Sequence, residues 1–178
     1  MIHESRHWKD PLLRAATCLS RIRIQDDESS EKSLVRVERE IFIGFYAIRK
    51  LCETLKVSMS TKELTIELSA FMAKPDLKSD YFNRANIDAL FEMGSPMKER
   101  RDIGFLCNQI IHSYIFIISI LEDGALKGFY VTSDSMRFKK LYFIELDQII
   151  NTFRLFGMDY PNNIKYQRNV KTGQLESQ

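Results

Sequence analysis

Glycine and proline are scarce, 7 and 4 in 178 residues, and no low-complexity block or internal repeat interrupts the chain. Collagen-like and Pro/Gly-rich disordered classes are thereby excluded. Cysteine is scarcer still. Cys18, Cys52 and Cys107 are odd in number and far apart, which suits neither a disulfide framework nor a metal-binding pair and points to reduced thiols. Nor is there an excess of charge: Lys and Arg total 26 against 24 Asp and Glu, a net +2 spread evenly, so no basic tail or acidic tract announces a partner. The first ten residues, MIHESRHWKD, carry charge throughout and lack the apolar stretch of a secretory signal, so the expected location is cytoplasmic. What the chain does have is apolar material, 44% hydrophobic and 11% aromatic residues, enough for one packed domain.

The longest uncharged stretch runs for nineteen residues, Ile103 to Leu121, between Asp102 and Glu122. That length would span a bilayer. However, Asn108, Gln109, His112, Ser113 and Ser119 lie inside it, and such groups are costly in hydrocarbon without partner helices. The expectation is a buried central helix, from about Pro96 or Lys98 to Leu121, and no membrane association.

Around it, apolar spacing predicts helices over about Glu4 to Ile24, with Pro11 as a kink or late start, and over about Ser30 to Leu55. Gly44 falls inside the second helix's apolar stripe, which implies a close crossing by another helix. Thr61 to Met72 fits either a strand or a capped helix, with a lean to strand; Lys74 to Met97 reads as a long loop with a short helix near Asn86 to Phe91. The runs GFYVT (128–132) and KLYFIE (140–145) predict a β-hairpin, and about Leu146 to Phe156 a final amphipathic helix ending at Gly157. Residues 1–160 are expected to form a single helical domain, and 161–178 a polar tail, extended or disordered.

Two clusters invite chemistry. His3, Glu4 and His7 match H-E-x-x-H, but only two residues precede the motif and no third ligand is evident, so surface histidines are expected and no metal. The second cluster is Asn108, Gln109 and His112. Polar side chains in an otherwise apolar element need partners, so either they bond to one another, to backbone or to water, or His112 faces a cleft as a proton donor or acceptor.

The segment LCNQIIHSYIF (106–116), with the upstream REIFIGFYAIRKLCETL (39–55), resembles the third and second helices of HEPN domains, all-α modules of prokaryotic toxins, defence systems and RNA-processing enzymes. Their signature is an arginine, often followed by a polar residue, and a histidine four to six residues on. His112 falls on that histidine and Asn108 on the polar residue; Cys107 stands where the arginine belongs. The resemblance covers about residues 30–122 and implies a homodimer of prokaryotic toxin or defence type that binds or cleaves RNA without metal or cofactor, with a cognate antitoxin as a further partner. On that reading His112 and Asn108 are the catalytic pair and Arg49 or Lys50 supplies the missing cation. The competing class is a non-catalytic helical interaction module.

Arg137, Lys139 and Lys140 alternate with Phe138, Tyr142 and Phe143. This pattern suits single-stranded RNA, although a lysine-protected strand edge has the same composition. The expected architecture is mainly α within an α+β domain: a HEPN-like antiparallel helical bundle (30–122) with an added small β-sheet or hairpin and C-terminal helix (128–157).

Overall fold

Apolar residues at helical spacing build the first two elements of the computed structural model, which describes residues 2–25, 28–161, 166–168 and 175–177. Helix α1 (Arg6–Arg21) buries Leu12, Ala15, Ala16 and Leu19, and α2 (Ser30–Cys52) buries Val37, Ile41, Phe45, Ile48 and Leu51. A short helix, α3 (Met59–Lys62), capped by Ser58, leads into strand β1 (Thr65–Met72). The later elements are α4 (Ile87–Leu90), β2 (Met97–Asp102), α5 (Ile103–Ile111), β3 (Ser113–Ile120), β4 (Leu126–Ser133), β5 (Lys140–Glu145) and α6 (Leu146–Met158).

The five strands form one sheet in the order β2-β1-β5-β4-β3, every neighbouring pair antiparallel. Ile66, Leu68, Ala70, Val131, Tyr142 and Ile144 point to the face covered by α1, α2, α5 and α6 and join one core with them. On the opposite face Phe71, Leu141 and Phe143 pack under Leu90 and Phe91 as a smaller cluster. The architecture is thus a sheet with a helical layer, and not the HEPN-like helical bundle with an added hairpin that the sequence suggested.

The expected helix from Ile103 to Leu121 is where that expectation failed. Asp102 caps α5 by accepting the Phe105 N–H at 2.7 Å, but the helix stops at His112 (φ −106°, ψ 27°) and the chain continues at once as β3. Tyr114, Ile115, Phe116, Ile117 and Ile118 lose rotamer freedom in a helix and pack well on a pleated surface, and the last four pair with β4 from Thr132 back to Phe129. No charge, glycine or proline marks the switch. β2 (MKERRD) lies where the sequence suggested the start of that helix, at about Pro96 or Lys98; almost wholly charged, it is instead an edge strand, where charge guards unpaired backbone. β3 closes the other edge with no charge at all.

The close crossing implied by Gly44 is made by α6: a Cβ there would come within 2.2 Å of the Phe153 ring. At the turn between β3 and β4, Gly124 takes φ 79°, a conformation that side chains disfavour. In the tail, Tyr166–Arg168 (β6) pairs with Leu175–Ser177 (β7). The rest of the predicted extended or disordered segment beyond Pro161 lies outside the described residues. Among the described residues no helix is long and apolar enough to cross a membrane.

Lys9 ties the ends of this assembly together. Fully buried in α1, its Nζ donates to the Lys56 carbonyl at 2.6 Å and to the Asp159 carbonyl, and lies 4.1 Å from the Tyr160 ring centre. Desolvation lowers its pKa below 10.5, aided by Lys56 and opposed by Asp159 and Glu4. Replacing it by methionine removes the donor of two part-buried hydrogen bonds, so Lys9→Met should lose about 1–3 kcal/mol in urea unfolding. Between the lowered folded pKa and 10.5 the unfolded chain binds more protons at this lysine than the folded one, so its contribution to stability rises with pH. The advantage of wild type over Lys9→Met should therefore grow through that window; a constant gap would contradict the assignment.

Candidate functional site

The end of α5 and the loop after β4 are held together by two hydrogen bonds. Gln109, buried, accepts the Ser133 N–H at 2.9 Å on its Oε1, and the His112 carbonyl accepts the Asp134 N–H at 3.2 Å. Between these segments lies an open depression of about 670 Å³, lined by Phe105, Asn108, Gln109, His112 and 133–136. Asn108 and His112 are both exposed at its rim. Asn108 belongs to the last turn of α5, and His112, its C-cap, donates its N–H to the Asn108 carbonyl at 3.1 Å, so the two line the same depression one turn apart.

Arg49 reaches this rim from α2. Its Nη1 donates to Asn108 Oδ1 and its Nε lies 3.5 Å from Glu53, while Nη2 makes no hydrogen bond among the described residues. Lys50, proposed with it as an alternative cation, does not join the site. Its amine is bonded to Glu53 at 2.9 Å, which raises the lysine pKa and lowers that of the carboxyl, and it faces the Tyr46 ring at 5.8 Å.

Cys107, which stands at the motif's arginine position, points into the core, and burial pushes its thiol up to about 12; burial likewise raises Cys52 to about 11. A neutral buried thiol offers neither a cation nor a nucleophile. The guanidinium instead arrives one helix away, a relation that spacing around His112 does not contain.

The three cations read as an RNA-binding run divide among different tasks. Lys140 bonds to Glu99, which also accepts from Arg101 Nε at 3.0 Å and Tyr142 at 3.3 Å. Desolvation opposes the charge on Glu99, but the bonds from Lys140 and Arg101 prevail and hold its carboxyl below the usual range. This network clamps β2 to β5. Lys139 is exposed, with no side-chain partner among the described residues. Arg137 stacks on Tyr114 at 4.2 Å and Phe138 at 4.5 Å and pairs with Asp134 at 3.2 Å.

His3, Glu4 and His7 are exposed, and His3 precedes the start of α1, so the H-E-x-x-H pattern does not set two imidazoles on one helix. Among the described residues no group of three or more His, Cys, Asp or Glu gathers as a metal site. Comparison with family models, curated proteins and solved structures returns no match.

One consequence is measurable at once. With a thiol reagent near pH 8 the native protein should modify Cys18 first and leave Cys107 untouched until unfolding. Peptide mapping by mass spectrometry reads the order, and early labelling of Cys107 would mean that α5 does not pack as described.

Proposed function

We propose that the protein acts on RNA without a metal, in the cytoplasm and as a homodimer, with the depression beside His112 as its site. The observation that supports this reading is the bond from Arg49 to Asn108: it gathers a guanidinium, an amide and an exposed imidazole from two elements at one open rim. Metal-free RNA cleavage needs a base for the 2′-hydroxyl, an acid for the leaving 5′-oxygen and positive charge for the phosphorane. His112 is the proton-transfer group, suited to that work near neutral pH. Asp134 is the other titratable group lining the depression; imidazole and carboxylate can divide the two proton transfers. Arg49 presents its remaining donors to phosphate, and Asn108 holds it in place.

A binding-only reading has its own support. Arg49 is already neutralised in part by Glu53, and Asp134 by Arg137. One experiment separates the two: unstructured RNA incubated in chelator with wild type, His112→Ala and Arg49→Gln. The nuclease reading expects cleavage by wild type, lower by about 10²–10⁴-fold without His112 and by about 10²-fold without Arg49. Equal background in all three leaves only binding. His112 is an exposed cap, so loss of folding is not the expected cause of lost cleavage, and circular dichroism checks that point.

The homodimer draws its support from α2, which exposes Val35, Ile43 and Tyr46, the last two 57% and 47% accessible and within two turns of Arg49. Sedimentation should give the mass of two chains for wild type and of one for Ile43→Glu. A wild-type monomer would remove the dimer from the proposal.

A further inference from the structure

Two residues beyond His112, Tyr114 lies between two arginines. Arg137 sits 4.2 Å from its ring centre and Arg84 at 5.8 Å. The alternation continues outward on both sides, since Arg84 also lies 4.8 Å from Tyr81 and Arg137 lies 4.5 Å from Phe138. Phe82 meets Tyr81 edge-on at 5.6 Å and is 93% exposed. Large apolar side chains left that open on a soluble surface mark contact sites.

Nor is Phe82 the tip of a loose loop. Asp80 Oδ1 accepts the N–H groups of Phe82 at 2.8 Å and Asn83 at 3.0 Å. Asn83 Oδ1 accepts the Asp80 N–H at 2.8 Å, and the Asn83 amide donates to the Lys78 carbonyl at 3.0 Å. The ring is presented by a turn already closed, so little ordering remains to oppose binding.

Beside it runs a hollow of about 260 Å³, lined by Arg84, Ala85, Glu38, Phe42 and 113–117. The charged groups here are two guanidinium ions and the carboxylates Glu38 and Asp134. Nε of Arg137 is buried with no hydrogen-bond partner among the described residues. Planar faces carrying guanidinium between them suit bases and phosphates together, and Glu38 can accept from an exocyclic amino group.

We propose that Tyr81, Phe82, Arg84, Tyr114, Arg137 and Phe138 form a stacking platform for single-stranded RNA that leads into the His112 depression. The proposal rests on the RNA reading of that site and adds the substrate class, unpaired rather than duplex. The two places adjoin through Asp134, which pairs with Arg137 and donates its N–H to the His112 carbonyl.

A 2′-O-methyl oligonucleotide of about 12 unpaired nucleotides, the length held by one single-strand-binding module, cannot react through its 2′-oxygen and reports binding alone by fluorescence anisotropy. Wild type should bind it, and its duplex form about tenfold more weakly or worse. Phe82→Ala and Arg84→Gln should each weaken binding by about fivefold or more. Phe82 is too exposed for its loss to unfold the chain. Equal binding by the Phe82→Ala/Arg84→Gln double variant, or equal binding of duplex, overturns the platform. No binding by wild type overturns it too and leaves the surface to a protein partner. Cleavage of unmodified RNA that depends on His112 while the double variant binds normally would sink the platform and keep the nuclease. Weakened binding by these variants with no cleavage by wild type would do the reverse.

Discussion

The site depends on one constraint: the chain must leave α5 at His112 and enter the sheet without a connecting loop. The bonds from Ser133 to Gln109 and from Asp134 to the His112 carbonyl hold the loop after β4 against that corner. Were the helix to continue for one more turn, Tyr114 and Ile115 would leave the sheet, and Asp134 would lose its acceptor. The wall of the depression would then open. Buried hydrogen bonds of this kind matter chiefly because their loss leaves the partner unsatisfied.

A second constraint sets where Arg49 can reach. Gly44 lets Phe153 of α6 press against the α2 backbone, so α2 cannot roll without driving its own chain into that ring. Farther along the same helix, Arg49 is thereby delivered to Asn108. Packing deep in the core and a polar bond at the surface are linked through a rigid helix, since close-packed interiors transmit rather than absorb small displacements.

Much of the helical layer was legible. α1, α2 and α6 carry apolar stripes at a period only a helix buries, and the β4–β5 pair carries aromatic and β-branched runs on either side of polar loop residues. The corner at His112 was not, because a strand and a buried helix look alike when both are continuously apolar. β2 hid for the opposite reason: MKERRD has no apolar alternation to mark a strand, and it fell at the start of the expected central helix. Those two errors together turned a sheet into a bundle.

Of the site, Asn108 and His112 stood out as polar residues in an apolar run, and Arg49 was among the cations considered. Its bond to Asn108 joins positions 59 residues apart, a distance no local pattern records. Tyr81, Phe82 and Arg84 were passed over inside a segment read as loop, although three such side chains between Asp80 and Ala85 already formed an aromatic and basic cluster.

The two rims of the sheet have opposite characters. β2 repels a neighbour with Lys98, Glu99, Arg100 and Arg101, whereas β3 ends the sheet as SYIFIISI, bordered by Glu38 and Arg84. An edge strand without charge of its own is the side of a sheet to which a further strand is added. A sixth strand of extended chain would therefore add at β3 and not at β2, because only β3 presents its free rungs without a row of charge.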